Sequence, residues 1–572
     1  MRILLFLLLG ICSLKAQTPD PLLAVNYEAQ QEWVDSTYSS LTLDEKIGQL
    51  FMVMAFSEQG KEHFEAVSRN VTENKIGGVI FSLGGPLGQT DWLNRFQKKS
   101  KIPLLIGMDA EWGVAMRLDS VQAFPWNMTL GAIQDDKLVQ AVGYRIGEQA
   151  KRLGIHINFA PSVDINTNPK NPIIGNRSFG EDKENVARKG IAFMNGMHDA
   201  GVLSSAKHFP GHGDTATDSH LGLPSINFSS DRIDEVELYP FKKIIDAGIS
   251  SVMVAHLDIP ALDAGIPSSL SQKTVQVLLQ DSLKFKGLVI TDALNMKGAS
   301  GISPKYGIDV AAFLAGNDIL LIPNDVSTAI KKMKRAFKAK KFTEERLAMS
   351  VKKILKAKYL VGLNNYNAVL KENLITDLNT DEDDYLIVKA MQAAVTVVQN
   401  KNDILPLSKE QTYGYIKLGD DTGSAFKNTL MQKLKIHAVD ASLSNDKIIR
   451  ALASYEKIII GFHRSNASPW KASSFSKKEI QLLVALSKDH GIILDVFVKP
   501  YALSRIGDLE AIDGLVVSYQ NSAIAQKASA EILLGERKAT GRLPVSITSS
   551  YPVGTGISLV GPKEFRQMLF EL

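Results

Sequence analysis

The sequence predicts an α/β protein in two parts. A (β/α)8 TIM-type barrel is expected over 23–363. A linker at 364–384 then leads to an α/β sandwich domain at 385–572. Three observations predict this. Eight short apolar runs rich in Val, Ile and Leu recur before Leu363, with helical patterns between them. The composition then turns polar and acidic from Asn364 to Asp384, with NN and TDLNTDEDD and little apolar periodicity. Strand-like runs resume after Tyr385. A chain of 572 residues exceeds one average domain, and 45% hydrophobic with 22% charged residues excludes a disordered or fibrous protein.

The runs are QLFMVMAF ending near Phe56, IGGVIFS near Ser82, PLLIGMD to Asp109 and IHINFAP to Pro161. VLSSAKH to His208, SVMVAH to His256, GLVITD to Asp292 and DILLIP to Pro323 follow. Continuous apolar runs of this length read as parallel strands buried on both faces. The first is ambiguous, since LDEKIGQLFMV also fits a helix. Between runs, Asp135 to Gly154 carries Leu138, Val142 and Ile146 on one helical face, with Gly154 as a stop. The basic stretch Lys331–Tyr359 reads as a packed helix with a solvated outer face, because Leu347, Val351, Ile354 and Leu355 form an apolar stripe. In the second domain the strand-like runs are YGYIKLG, KIIIGFH, GIILDVFVK and DGLVVSY, with SAIAQKASAEILLG as one helix.

At the N-terminus, Arg2 precedes ten apolar residues, Ile3–Cys12, and a polar SLKAQ. This reads as a signal peptide over 1–16 cleaved after Ala16, too short to span a bilayer, so a periplasmic or secreted protein without stable membrane insertion is expected. Cys12 is the single cysteine, so the mature chain has no disulfide framework and no thiol nucleophile. The balance of 65 Lys+Arg against 61 Asp+Glu leaves +4, too little for a nucleic-acid-binding surface.

Barrels place their chemistry at the C-terminal ends of the strands and in the loops that follow. Applied here, that rule selects Asp109, Glu111 and Arg117 after the third run, and Asp164 and Arg177 after the fourth. Lys207 and His208 end the fifth, His256 the sixth and Asp292 the seventh. Structural ion pairs are the competing reading for any single one of these, and a helix N-cap is the competing reading for Asp292. The densest segment is KHFPGHGDTATDSH, Lys207–His220, where Gly211 and Gly213 allow backbone conformations suited to a loop over a pocket. Asp218 lies two residues before His220, close enough to orient the imidazole and stabilise its charge as a general acid and base. His208, His212, Asp214, Asp218 and His220 are also possible metal ligands, but their spacing matches no zinc motif. No metal and no cofactor is expected.

GMDAEWGVAMR, IIGNRSFGED, KHFPGHGDTATDSH and VITDALNM, in that order, resemble glycoside hydrolase family 3 and, more narrowly, its β-N-acetylglucosaminidase branch. The histidine-bearing loop is the specific element. LPL after Ile404 and GRLPVSI from Gly541 extend the resemblance through the second domain. It implies that Asp292 is the nucleophile of a retaining double displacement, with His220 as acid/base held by Asp218. Asp109, Arg117, Arg177, Lys207 and His208 would bind the sugar. Around Asp109 the chain departs from the DQEGGRVQR of the best-known bacterial form, with Ala110, Trp112 and Val114 in place of Gln, Gly and Arg. Trp112 either stacks on a sugar or fills the barrel mouth.

The activity so implied is removal of terminal N-acetylglucosamine from peptidoglycan-derived or chitin-type oligosaccharides. A phosphorylase, a β-glucosidase of the same family, a metal-dependent hydrolase and a non-catalytic glycan-binding protein are the alternatives. Phosphate dependence, substrate preference and chelation separate the enzymes, and the intact Asp218, His220 and Asp292 weigh against a mere binder.

Overall fold

The structure is a computed structural model that describes residues 20–216, 222–300, 304–471 and 474–559. The expected leader at 1–16 lies outside the described residues. All eight apolar runs form strands: β1 (Phe51–Ala55), β2 (Gly78–Phe81), β3 (Leu105–Met108), β4 (Ile157–Asn158), β5 (Leu203–Phe209), β6 (Ser251–Val254), β7 (Leu288–Thr291) and β8 (Leu320–Leu321). Each pairs in parallel with its sequence neighbour, and β1 pairs with β8. A bridge between Ile290 and Ile319 closes the barrel. Helices outside and packed side chains inside bury both faces, which is why these strands are apolar without alternation.

The ambiguous first run proves to be both elements in succession. A helix at Leu43–Gly48 opens on a reciprocal cap, in which Glu45 Oε2 accepts from Thr42 N–H at 2.8 Å and Thr42 Oγ1 accepts from Glu45 N–H at 3.3 Å. The chain becomes β1 at Phe51, where β-branched and bulky residues take over. The helix Asp136–Arg152 buries Val142 and Ile146, and Gly154 adopts the left-handed φ of +72° that ends it. The basic stretch spans two helices, Val326–Lys338 and Glu344–Leu360, and the stripe of Leu347, Val351, Ile354 and Leu355 is buried.

The polar 364–384 segment differs from a free tether. It holds a short helix at Leu374–Asp377 and the start of a second at Asp381–Ala394. The acidic TDEDD is that helix's first turn, where carboxylates meet the positive end of the helix dipole and Thr380 and Asp383 cap each other. Asp383 also accepts from Arg145 Nε at 2.9 Å, which fastens the segment to the barrel. Acidity that reads as a solvated linker in the sequence is therefore a cap and an ion pair.

The second domain is one six-stranded sheet: β9 (Thr396–Asn400), β10 (Thr412–Leu418), β11 (Lys435–Val439), β12 (Lys457–His463), β13 (Gly491–Phe497) and β14 (Gly514–Val517). Its order is β11-β10-β12-β13-β14-β9, parallel except that β9 runs antiparallel to β14. The four apolar runs are β10, β12, β13 and β14. The sequence reading did not include β11, a half-exposed edge, or β9, which directly follows a helix. The domain docks on the barrel loops after β3 and β4. Gln520 Oε1 accepts from Trp126 N–H and from Thr129 Oγ1, each at 2.8 Å. Tyr501 Oη accepts from Asn166 Nδ2 at 2.8 Å and donates to Asn166 O at 3.0 Å. Among the described residues, no helix is long and apolar enough to cross a membrane.

Candidate active site

The strand-end residues converge on a pocket of about 400 Å³ at the C-terminal mouth of the barrel. Asp109, Arg117, Arg177, Lys207, His208 and Asp292 all line it. Asp218 and His220 lie outside the described residues.

Asp109 follows β3. Its Oδ1 accepts from Lys207 Nζ and its Oδ2 from Arg117 Nη2, both at 2.7 Å. Burial raises the pKa of this carboxyl, but Lys207, Arg117 and Arg177 overcome that and hold it well below the usual carboxylate range. Behind it, Glu111 is buried and takes Arg177 on both oxygens, Nη2 at 2.6 Å and Nε at 3.0 Å, with Lys207 Nζ at 2.9 Å. Here too burial acts upward and is outweighed by Arg177 and Lys207, leaving the carboxyl at about 2. Lys207, only 2% exposed, is thus clamped between two carboxylates. Arg117, Lys207 and Arg177 are thus held in place by Asp109 and Glu111, and their N–H groups suit oxygen acceptors of a ligand.

His208 is held from both sides. Arg177 Nη2 lies 3.2 Å from His208 Nε2, and a guanidinium can only donate, so Nε2 is the unprotonated nitrogen. Nδ1–H then donates to Asp164 Oδ2 at 2.6 Å. Asp164 also accepts from Ser162 Oγ at 2.9 Å and from the His212 amide at 2.7 Å. Burial raises the Asp164 pKa, but His208 and His212 more than offset it and keep the group ionised far into acid. With one nitrogen facing a guanidinium and the other a carboxylate, both nitrogens of His208 are occupied and neither is an open metal ligand. His212 lines the pocket as well, and burial pushes its pKa down to about 4. The loop must pass close to its neighbours here. Gly211 takes φ +134°, and a Cβ at Gly213 would stand 1.7 Å from Ile165 O.

Asp292 follows β7 directly. Among the described residues no Lys or Arg pairs with it, and its Oδ1 accepts from the Ala293 amide at 2.8 Å. Burial raises its pKa, yet His256, His208, the Ala293 amide and Lys207 together leave it lowered. An ionised carboxylate without a cationic clamp in a pocket is a nucleophile or a charge stabiliser. His256, fully buried, donates from Nε2 to Ala293 O at 3.0 Å and so fixes the residue beside Asp292.

A model of the glycosyl hydrolase family 3 N-terminal domain matches residues 42–357, more than half of the chain. The chain belongs to glycosyl hydrolase family 3. A beta-hexosaminidase A from Pseudoalteromonas piscicida is 30% identical to this family 3 protein over 520 residues, covering 79% of this chain and 84% of that one. A beta-N-acetylglucosaminidase/beta-glucosidase from Cellulomonas fimi is 28% identical over 390 residues, covering 66% and 68%. The solved structure of a family 3 beta-N-acetylglucosaminidase from Paenibacillus sp. str. FPU-7 superposes with a TM-score of 0.73 at 29% identity, covering 89% of this chain and 99% of that one. Barrel and second domain are therefore shared.

Two features of this family 3 site escape sequence reasoning. Glu111 and Asp164 are visible as strand-end acids, but their task of holding Arg177, Lys207 and His208 depends on contacts between loops. Trp470 comes from the second domain, lines the pocket, and is 47% exposed. Its only signal is an aromatic residue in a Ser-rich loop. Trp112, by contrast, is 9% exposed and packs edge-on against Trp126 and Trp470 at 6.3 and 6.5 Å between ring centroids. It does not line the pocket and fills the mouth.

Proposed function

We propose that this chain is a retaining exo-β-N-acetylglucosaminidase acting on terminal N-acetylglucosamine of peptidoglycan-derived or chitin-type oligosaccharides. Asp292 carries the reading: it is an ionised carboxylate with no Lys or Arg paired to it among the described residues, in a pocket also lined by Arg117, Lys207 and Arg177. Three cationic groups and Asp109 suit the hydroxyls and acetamido oxygen of one sugar, and a pocket of about 400 Å³ suits one or two rings. The family's relatives named above as hexosaminidases support the same substrate class.

In the first step an Asp292 oxygen attacks the anomeric carbon while the glycosidic oxygen takes a proton from His220, whose charge Asp218 stabilises. In the second, neutral His220 removes a proton from water, which displaces Asp292 and restores the imidazolium. A histidine acid fits the role because its proton leaves and returns near neutral pH. The leader at 1–16 supports action in the periplasm or outside the cell.

The test is turnover of an aryl N-acetyl-β-glucosaminide beside an aryl β-glucoside, with and without phosphate. The N-acetyl substrate should be strongly preferred and phosphate should leave the rate unchanged. A fluorosugar that traps the glycosyl-enzyme should add its mass to the peptide containing Asp292. Labelling elsewhere, or full activity of Asp292→Ala, overturns the nucleophile assignment.

A further inference from the structure

The pocket at the barrel mouth has a polar arc and an apolar one. Its ionisable lining residues all belong to β3, β4, β5 or β7, or to the loops after them. The lining from β8, β1 and β2 and just beyond them includes Ile322, Met54, Phe56 and Leu83, with Ser82 as its only polar side chain. These three strands are neighbours, and β8 bridges to β7, so the apolar arc begins beside Asp292. A sugar attacked at its anomeric carbon by Asp292 carries its 2-substituent on the next ring atom. Arg117, Arg177 and Lys207 offer donors to the hydroxyls along the polar arc, which leaves the apolar arc for an apolar part of the sugar.

The backbone of this arc is strained at both ends. Among the described residues, ten that are not glycine adopt a positive φ, and seven of those are Lys, Ser, Asn or Asp. The other three are Tyr519, in the second domain, and Leu83 and Ile322, which both line the pocket. Ile322, at φ +47°, is the only β-branched residue of the ten. Its N–H donates to Met52 O at 2.8 Å, and its O accepts from the Asn295 N–H at 3.1 Å. Neighbouring strands thus impose the conformation whatever side chain stands there. Glycine adopts it freely and asparagine readily, whereas the branched Cβ of isoleucine crowds its own backbone. The backbone makes no demand for isoleucine, so the side chain is held there at a cost. It packs in part against the core and in part lines the pocket. Leu83, at φ +54°, lies on the far side of β1 and is 43% exposed, whereas Ile322 is bonded to the segment that carries Asp292.

We infer that Ile322 is a specificity-determining residue whose side chain receives the methyl of the substrate's 2-acetamido group. The inference rests on the glycosidase reading and deepens it, by naming the contact that favours the N-acetyl sugar. One methyl buried on an apolar wall is worth about tenfold or more in kcat/KM.

The test pairs removal of the methyl with removal of the side chain. An aryl N-acetyl-β-glucosaminide and its N-formyl analogue differ by that methyl alone. Their kcat/KM values are compared on wild type, Ile322→Gly, Ile322→Asn and Ile322→Val. The wild type should favour the N-acetyl compound by about tenfold. Glycine and asparagine suit the left-handed backbone, and with either the preference should fall to about twofold or less. Valine keeps the branch at Cβ and should retain most of the preference. A merely structural role would lower both rates together and leave their ratio unchanged. A wild type indifferent to the methyl overturns the inference. So does a preference that survives with glycine or asparagine, or one that is lost equally with valine. Failure of the wild type to cleave either compound would defeat the glycosidase reading, and the inference with it.

Discussion

Glu111→Gln is the substitution from which most can be learned, because it keeps shape and removes one buried charge. Glu111 receives Arg177 through two contacts, at 2.6 and 3.0 Å, and Lys207 at 2.9 Å. A glutamine offers one accepting oxygen, and its amide hydrogens would face a guanidinium. The displacement of the Glu111 carboxyl from 4.5 to about 2 reflects burial overcome by Arg177 and Lys207, and is worth about 3 kcal/mol in favour of the ionised form. This agrees with the roughly 3–5 kcal/mol for removing one partner of a buried ion pair. If all of it is expressed in the placement of Arg177 and Lys207, kcat/KM for the aryl substrate falls about 100-fold. If it is expressed in folding, the urea midpoint of the variant falls instead. Because the folded pKa is depressed, the wild-type contribution is complete above about pH 4.5 and disappears as the pH falls toward 2. The variant should therefore lose less stability than the wild type across that window. A variant with wild-type kcat/KM and an unchanged urea midpoint would refute the claim that Glu111 holds the sugar-binding cations.

Further outcomes follow from other contacts. Trp470→Ala should lower kcat/KM by roughly tenfold, chiefly through KM, since it removes an aromatic wall supplied by the second domain; steady-state kinetics check this. Gly213→Ala forces a Cβ to within 1.7 Å of Ile165 O, so the loop must shift, and activity should drop at least tenfold with little change in far-UV dichroism. His220→Ala should reduce kcat/KM, which reports the first step, by about 100-fold or more for substrates with poor leaving groups and spare it for acidic aryl leaving groups, which need no proton, while kcat falls for both because the second step loses its base. An equal loss of kcat/KM on both kinds of substrate would remove His220 from the acid role.

Much of the site was legible because a parallel barrel turns position in sequence into position in space. Each apolar run ends where its strand leaves the hydrophobic interior, so Asp109, Lys207, His256 and Asp292 announce themselves as the first ionisable residues at the end of a buried stretch. His208 follows Lys207 directly, and Arg177 was located in the loop after the fourth run. Sequence position did not show how the 364–384 linker is fastened, with acidic residues that cap a helix and bind Arg145, because a carboxylate paired across 238 residues of chain looks like a solvated one in a sequence. It missed β11 because an edge strand with one face in water has no continuous apolar run. Trp112 could not be assigned from sequence, since stacking on a sugar and packing on Trp126 make the same demand for an aromatic ring.

The sequence by itself determined the barrel, the order of its strands, the second domain and the set of strand-end groups, because hydrophobic periodicity and chain order are local properties that burial reads directly. Only the tertiary structure decided which of those groups work together. Lys207 is clamped by Asp109 and Glu111, His208 has its tautomer set by Asp164 and Arg177, and Asp292 is left without a cationic partner among the described residues. The reason is that charge interactions depend on distances of a few ångströms between loops far apart in sequence, and on the loss of water around them. The meeting of Trp470 with the pocket at the barrel mouth, and of the Lys499 ammonium with the Gly175 loop, belongs to the same class. Each is a contact between domains that neither segment encodes alone.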